Sequence, residues 1–270
     1  MHLRVLGSSS AGNCTLVWND QTAVMVDCGF SPRYITSCLG ALDLDIPPIT
    51  GVLITHAHGD HVNDLSVRML SANGIPLVVR HEISRVLRRT YPAVAEAARK
   101  GLLREFDGTG TAVGTLEIDA FEVPHDSPGG CFGFGVACGV GPMRRRIALA
   151  TDLGYPAEGL REKFLGANAV VIESNHDIDM LENSGRPAWL KKRIKEIGHL
   201  SNDQCAAFVR DLCRSNAARP SAVILAHISQ QCNTNELAER ATTEALLRDG
   251  VRSVRVVQSF KALPSEIVRV

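Results

Sequence analysis

The stretch Gly51-Val-Leu-Ile-Thr-His-Ala-His-Gly-Asp-His61 constrains this chain more than any other. Val52 to Ile54 is an apolar run and reads as a short buried strand. It ends at Thr55, and His56, His58, Asp60 and His61 follow in a polar turn. Gly59 lets the backbone turn sharply there. In an extended backbone alternate residues point the same way, so His56 and His58 face one direction. Asp60 and His61 are adjacent and point elsewhere. One loop can therefore serve two metal ions, with His56 and His58 on one and Asp60 and His61 on the other. Imidazole with carboxylate suits zinc, manganese or iron. A lone His in a loop is usually a surface or satisfied core residue; four such groups packed at a strand end are not accounted for in that way.

A chain of 270 residues, 45% of them hydrophobic, has room for one large domain or two small ones and can bury a large core. Lys plus Arg equals Asp plus Glu, 29 each, so net charge favours no polyanionic partner. Charge segregated by face would still permit one. Met1-His-Leu-Arg-Val5 has no signal-peptide character, and no apolar run approaches membrane-spanning length. The eight cysteines form no C-x-x-C pair, and Cys14, Cys28, Cys138 and Cys205 sit in apolar runs. They are expected to be reduced core residues of a cytoplasmic protein with no membrane partner.

Further polar residues stand at predicted strand ends. Residues 2–6 alternate as a strand, and Gly7 to Asn13 is a small, polar loop. It is either a hairpin turn or a loop whose Ser8, Ser9 and Asn13 approach an anion. Cys14–Trp18 and Thr22–Val26 make the next strand pair, ending at Asp27. Helices are expected over Pro32–Leu42, Asn63–Ala72 and His81–Arg89. Strands are expected over Pro76–Arg80, Leu102–Phe106 and Thr115–Val123, the last followed by His125. Cys131–Cys138 and Ile147–Ala150 are strands, the second ending in Thr151-Asp152, with a helix from near Ala157. Ala169–Ile172 is a buried strand leading into Glu173-Ser-Asn-His-Asp177. Pro187–Ile197 is a basic helix, and Ser201 is a good N-cap for a helix from Asn202 to about Asn216. His199 thus precedes a helix N-terminus, where an anion is welcome. Ser221–Ala226 is a strand ending in His227. Asn235–Arg248 is a helix; Ser253–Gln258 and Glu266–Val270 close the chain as strands. Each half reads as strands followed by αβ alternation, which suits an α/β (α+β) four-layer αββα sandwich.

The ordered set Asp27, His56-x-His58-x-Asp60-His61, His125, Asp152 and His227 resembles the metallo-β-lactamase fold. The resemblance covers almost the whole chain and implies a single domain over 1–270. It implies His56, His58, His125 and Asp152 on one divalent metal and Asp60, His61, Asp152 and His227 on a second, with Asp27 supporting the metal loop from behind. The segments 173–181, 198–202 and 225–229, with the opening Gly-Ser-Ser-Ser-Ala-Gly-Asn, are similar to the YycJ (WalJ/VicX) family, which implies 5′→3′ exonuclease activity on DNA. The set Glu173, His199 and His227 is also similar to transfer-RNA 3′-processing and β-CASP nucleases. In those a His placed like His199 reaches the scissile phosphate. About 75 residues between Asp152 and His227 leave no room for a β-CASP insert, and Gln230-Gln-Cys-Asn replaces the Arg-Tyr of the transfer-RNA enzymes.

Two cations about 3.5–4 Å apart can share a hydroxide and hold the electrophile's oxygens, for attack on phosphorus or an acyl carbon. His199 tilts the expectation to a phosphodiester, since an imidazolium can pair a nonbridging oxygen or protonate the leaving alkoxide. The expected catalytic residues are Asp60, His199 and Glu173, the last orienting His199. His176 is expected behind the centre, and Ser8, Ser9, Asn13 and Ser201 at the substrate. Glu173 capping a helix with His176 packed beneath it is the plain alternative. Basic clusters at 85–89, 144–146 and 191–195 are solvated faces or phosphate-backbone contacts. The expected substrate is DNA. The competing reading is a small-molecule hydrolase of a cyclic phosphodiester, lactone or thioester.

Overall fold

A computed structural model describes residues 1–42, 45–108, 110–215 and 219–270. The first half opens with three antiparallel strands, β1 (His2–Ser9), β2 (Gly12–Trp18) and β3 (Ala23–Val26). Helix α1 (Pro32–Gly40) leads to β4 (Ile49–Ile54), α2 (Asp64–Ala72), β5 (Leu77–Arg80), α3 (His81–Thr90), α4 (Pro92–Arg99) and β6 (Leu103–Phe106). Strands β3 to β6 are parallel. The second half repeats the scheme. Strands β7 (Gly110–Val113), β8 (Leu116–Val123), β9 (Cys131–Cys138) and β10 (Arg145–Ala150) are antiparallel. Then come α5 (Leu160–Phe164), β11 (Ala169–Glu173), α6 (Ile178–Glu182), α7 (Ala188–Arg193), a π-helical turn (Ile194–Gly198), α8 (Asn202–Ser215), β12 (Ala222–Ala226), α9 (Asn235–Arg248) and β13 (Arg255–Gln258). Strands β10 to β13 are parallel. The last strand, β14 (Val268–Arg269), pairs with β1.

The sheet orders are β14-β1-β2-β3-β4-β5-β6 and β13-β12-β11-β10-β9-β8-β7. They pack face to face with helices outside, the αββα sandwich expected. The layering is visible within single strands. Ile147, Val171 and Ile224 enter the core shared with the first sheet, among Leu16, Ile54 and Phe134. Their neighbours Ala148, Val170 and Val223 enter a second core with Phe164, Val209 and Leu212 beneath the outer helices. Burial on both faces explains why these strands read as apolar runs.

Local signals act as expected at several ends. The Ser31 hydroxyl accepts from Tyr34 N, with Pro32 at the first position of α1. Asn63 accepts from the Leu65 and Ser66 amides to cap α2. Other expectations need correction. Of the two readings of Gly7 to Asn13 the hairpin turn is the one found, but a tighter one than the stretch suggests: β1 runs to Ser9, and only Ser10 and Ala11 form the turn. Its small residues seat a ring. A Cβ at Gly7 or Gly12 would lie 2.5 or 2.8 Å from Phe30. The helix expected near Ala157 starts at Leu160. The basic helix is α-helical only to Arg193, where the wider turn takes over. The expected end of α8, at Asn216, lies outside the described residues.

Candidate metal centre

In parallel α/β sheets, ligands gather at the carboxyl ends of strands. Asp27 follows β3, the loop 55–61 follows β4, and His125 lies beyond β8. Asp152 follows β10, Glu173 ends β11, and His227 follows β12. Asp27 and His227 take left-handed backbone conformations (φ 62° and 53°), which non-glycine residues rarely adopt. Both sit where a strand ends on the site, and such strain concentrates at functional positions.

Two groups of ligating atoms converge. His56 Nε2 lies 3.0 Å from His58 Nδ1, which lies 3.3 Å from His125 Nε2. Nitrogens sharing a tetrahedral zinc at its usual bond length stand about 3.3 Å apart. In the second group, Asp60 Oδ2 is 3.4 Å from His61 Nε2 and 3.5 Å from His227 Nε2. Asp152 lies between the groups, with Oδ2 3.0 Å from His61 Nε2 and Oδ1 3.8 Å from His125 Nε2. His227 Nε2 and Asp152 Oδ2 are buried and make no hydrogen bond among the described residues, close though His61 is to the latter. Buried polar atoms normally find a partner. Orphaned lone pairs inside a His/Asp cluster fit a divalent cation.

A second layer fixes the rings. Asp27 Oδ2 is 2.7 Å from His61 Nδ1, while Oδ1 accepts from the Thr55 amide at 2.9 Å. The Thr55 hydroxyl donates to Asp27 Oδ2 and stands 3.0 Å from His56 Nδ1. His125 Nδ1 donates to the Gly198 carbonyl at 2.8 Å. Glu173 is fully buried, and its Oε1 lies 2.7 Å from His227 Nδ1 and 2.8 Å from His199 Nδ1. Its Oε2 accepts from the Leu153 and Leu200 amides. With Nδ1 engaged in His61, His125 and His227, Nε2 is the nitrogen left for a metal, as in carboxylate–histidine–metal arrangements.

Charge follows the same layout. Burial alone would raise the Glu173 carboxyl, but His199 and His227 outweigh it and hold it below the usual range. Burial is likewise outweighed at Asp152, held well below that range by His227 and His61. Against burial, Asp152, Asp60 and Glu173 push His227 up to about 10. His176 goes the other way, lowered to about 4 chiefly by burial.

The remaining predicted residues divide. Asn13 joins the centre: its Nδ2 is 3.0 Å from His61 Nε2 and 3.3 Å from Asp60 Oδ2, and its amide donates to the Asp60 carbonyl. Ser8 faces inward, donating to Asn13 Oδ1 and accepting from the His227 amide. Ser9 accepts from the Ala11 amide. Ser201 and Gln204 form a capping box at the start of α8. The hydroxyls of Ser8, Ser9 and Ser201, expected at the substrate, thus hold backbone and side chains of the protein instead. Buried hydroxyls need partners, and the nearest are internal. The alternative role for Glu173 as a helix cap is filled by Asp177, which accepts from the Met180 amide. His176 is buried on the wall of the cavity above the centre, its Nδ1 unpartnered among the described residues.

Sequence reasoning missed several residues. A Cβ on Gly29 would fall 1.8 Å from the Asp60 carbonyl oxygen, so only glycine lets the metal loop approach. Tyr91 holds that loop from below, donating to the Ala57 carbonyl at 2.9 Å. The Asn175 side chain donates from Nδ2 to the His227 carbonyl at 2.8 Å. The basic clusters are largely paired: Arg144 with Glu117, Arg146 with Asp119, Arg193 with Asp126, Lys195 with Glu182. Arg88 reaches Glu105 at 3.9 Å. None of these pairings could be read from runs of like charge.

A cavity of about 210 Å³ opens over the centre, walled on one side by His58, Asp60, His125, Asp152 and His227. His199 stands beside these residues, its ring 4.9 Å from that of His227, and the segment Leu181 to Gly198 lines the rest. The family described as "Beta-lactamase superfamily domain" matches residues 22–228, three-quarters of the chain. The chain belongs to the beta-lactamase superfamily. Among curated relatives, exodeoxyribonuclease YycJ of Bacillus anthracis is 29% identical over 251 residues, covering 93% of this chain and 90% of the relative. Exodeoxyribonuclease WalJ of Streptococcus pneumoniae serotype 2 is 29% identical over 253 residues, covering 90% and 87%. The solved structure of Zn²⁺-bound PqqB from Methylobacterium extorquens shares the fold, with a TM-score of 0.69 at 16% identity over the full length of both chains. Superfamily membership together with the convergent His/Asp clusters makes this chain a metal-dependent hydrolase. Among the described residues, no helix is long and apolar enough to cross a membrane.

Proposed function

We propose that this protein is a phosphodiester hydrolase acting on DNA, most specifically a 5′→3′ exonuclease, with 1–270 as one catalytic domain lacking a β-CASP insert and working in the cytoplasm. In this reading two divalent metals, zinc, manganese or iron, are held by His56, His58, His125 and Asp152, and by Asp60, His61, His227 and Asp152. When bound, such ions supply Lewis-acid charge and lower the pKa of an attacking water. The rest falls to side chains. Asp60 orients the water, and the Glu173–His199 pair serves the phosphate. Glu173 Oε1 engages His199 Nδ1, leaving Nε2 to pair a nonbridging oxygen or donate a proton to the leaving alkoxide. That pairing, directly beside the clusters and on the cavity, with the His199 ring 4.9 Å from that of His227, is the observation that carries the reading, and the exodeoxyribonuclease relatives support the choice of DNA.

One observation favours a smaller substrate: the cavity is modest, and most basic clusters beyond it are already paired with acids. A cyclic phosphodiester, lactone or thioester would then be the substrate. The test uses manganese-loaded protein and DNA and RNA labelled at either end, with His199→Ala and bis(p-nitrophenyl) phosphate alongside. Stepwise loss of DNA from the 5′ end, falling about 100-fold or more in the variant, is expected for a lost general acid. Turnover of the small diester with every polymer intact would replace the nuclease reading with the small-molecule one.

A further inference from the structure

One wall of the cavity is built by the segment Ile178–Gly198, whose Leu181 and Ile194 form a small apolar cluster with Cys232, from the stretch before α9, and with Leu190 packed on it. Arg186 lies on this wall. Its charge is handled differently from its neighbours'. Arg193 has Asp126 and Lys195 has Glu182, whereas Arg186 has no carboxylate partner among the described residues. It makes one side-chain hydrogen bond, from Nη2 to the neutral Gln231 Oε1 at 3.0 Å. Its Nε is buried and has no hydrogen-bond partner among the described residues. His176 lines the same cavity, is 1% exposed, and also leaves a buried nitrogen, Nδ1, unpartnered.

A buried guanidinium nitrogen and a buried imidazole nitrogen without partners, in one cavity, are costly unless something fills them. A planar guanidinium matches phosphate oxygens, and a cation with no internal acid is free to take an external one. The apolar cluster beneath suits the sugar or base attached to such a phosphate. We propose that Arg186 and His176 form a subsite for a second phosphate of the substrate strand, next to the one under attack. This rests on the reading of the protein as a polynucleotide hydrolase, and it would make the Ile178–Gly198 segment the element that separates polymers from simple diesters.

The test compares full-length, metal-loaded wild type, Arg186→Met, Arg186→Lys and His176→Ala. Each is assayed on labelled DNA and on bis(p-nitrophenyl) phosphate, which carries a single phosphate. The expected result is that the ratio of polymer to small-diester kcat/KM falls at least about tenfold in Arg186→Met, less in Arg186→Lys, and falls in His176→Ala, as the loss of a charge-assisted hydrogen bond predicts. An unchanged ratio in Arg186→Met overturns the subsite while leaving the nuclease reading intact. If wild type cuts the small diester and no polymer, the nuclease reading fails, and dinucleotide competition decides the subsite. The dinucleotides pTpT or TpTp should inhibit small-diester hydrolysis about tenfold better than TpT in wild type, with the advantage lost in Arg186→Met. Equal inhibition by all three, or an advantage that survives in Arg186→Met, overturns the proposal.

Discussion

Glu173 divides one carboxylate between two imidazoles. Its Oε1 reaches both His199 and His227, and two backbone amides hold Oε2. A neutral amide in its place keeps the shape but loses the negative charge that faces Nδ1 of His199 and of His227. Glu173→Gln should therefore lower kcat more than it lowers bound metal, which metal content measured beside turnover would reveal; equal losses in both would mean that its role lies with His227 instead. Asp27 makes the contrasting case, because its contacts go to His61 and Thr55 alone on the metal loop. Asp27→Asn should weaken metal binding by roughly 10–100-fold, the usual cost of losing an outer carboxylate. Titration with a competing chelator would read this directly. Residues of this kind were legible because they are unusual by type and stand at strand ends. Gly29 and Arg186 were not. The first matters through a distance to Asp60 and the second through a missing partner, and neither has a sequence signature.

At the level of elements, the strands of the two cores declared themselves by continuous apolar runs, and α9 by an uninterrupted helical pattern ended by Asp249 and Gly250. What escaped were short pieces: α4, β7 and α6 span 8, 4 and 5 residues. Pieces so short depend on packing more than on their own propensity. The close seat of β3's end against the metal loop yields a sharp expectation. Gly29→Ala must push the Asp60 backbone away, so metal affinity should collapse even if the protein still folds. Retention of full metal content by this variant would show that the loop can give way. A core substitution should behave differently. Phe164, stacked edge-on to Phe121 and Phe208 beneath the outer helices, is fully buried. Phe164→Ala should cost about 3–5 kcal/mol of stability in denaturant unfolding. Because Phe164 contacts none of the His and Asp side chains of the centre directly, the folded fraction should retain its metal.

For the whole molecule, the repeated scheme of antiparallel strands followed by parallel αβ units was readable from order and spacing, but the joining of β14 to the first sheet was not. The closing strand was expected over Glu266–Val270, but its partner β1 stands at the far end of the sequence, and nothing in either segment names the other. The sandwich brings ligands from both halves to one rim, so metal should brace the halves together. Removing it with a chelator should lower Tm by roughly 5–10 °C if free metal had been about 100-fold above Kd. The central claim, that the converging His and Asp clusters form a two-metal centre, is tested most directly by counting divalent metal per chain in protein reconstituted and freed of excess ion. Two per chain are predicted for the wild type and no more than one for Asp60→Ala, whose carboxylate belongs to only one of the clusters. Less than one metal in the wild type, or an undiminished count in Asp60→Ala, would contradict it.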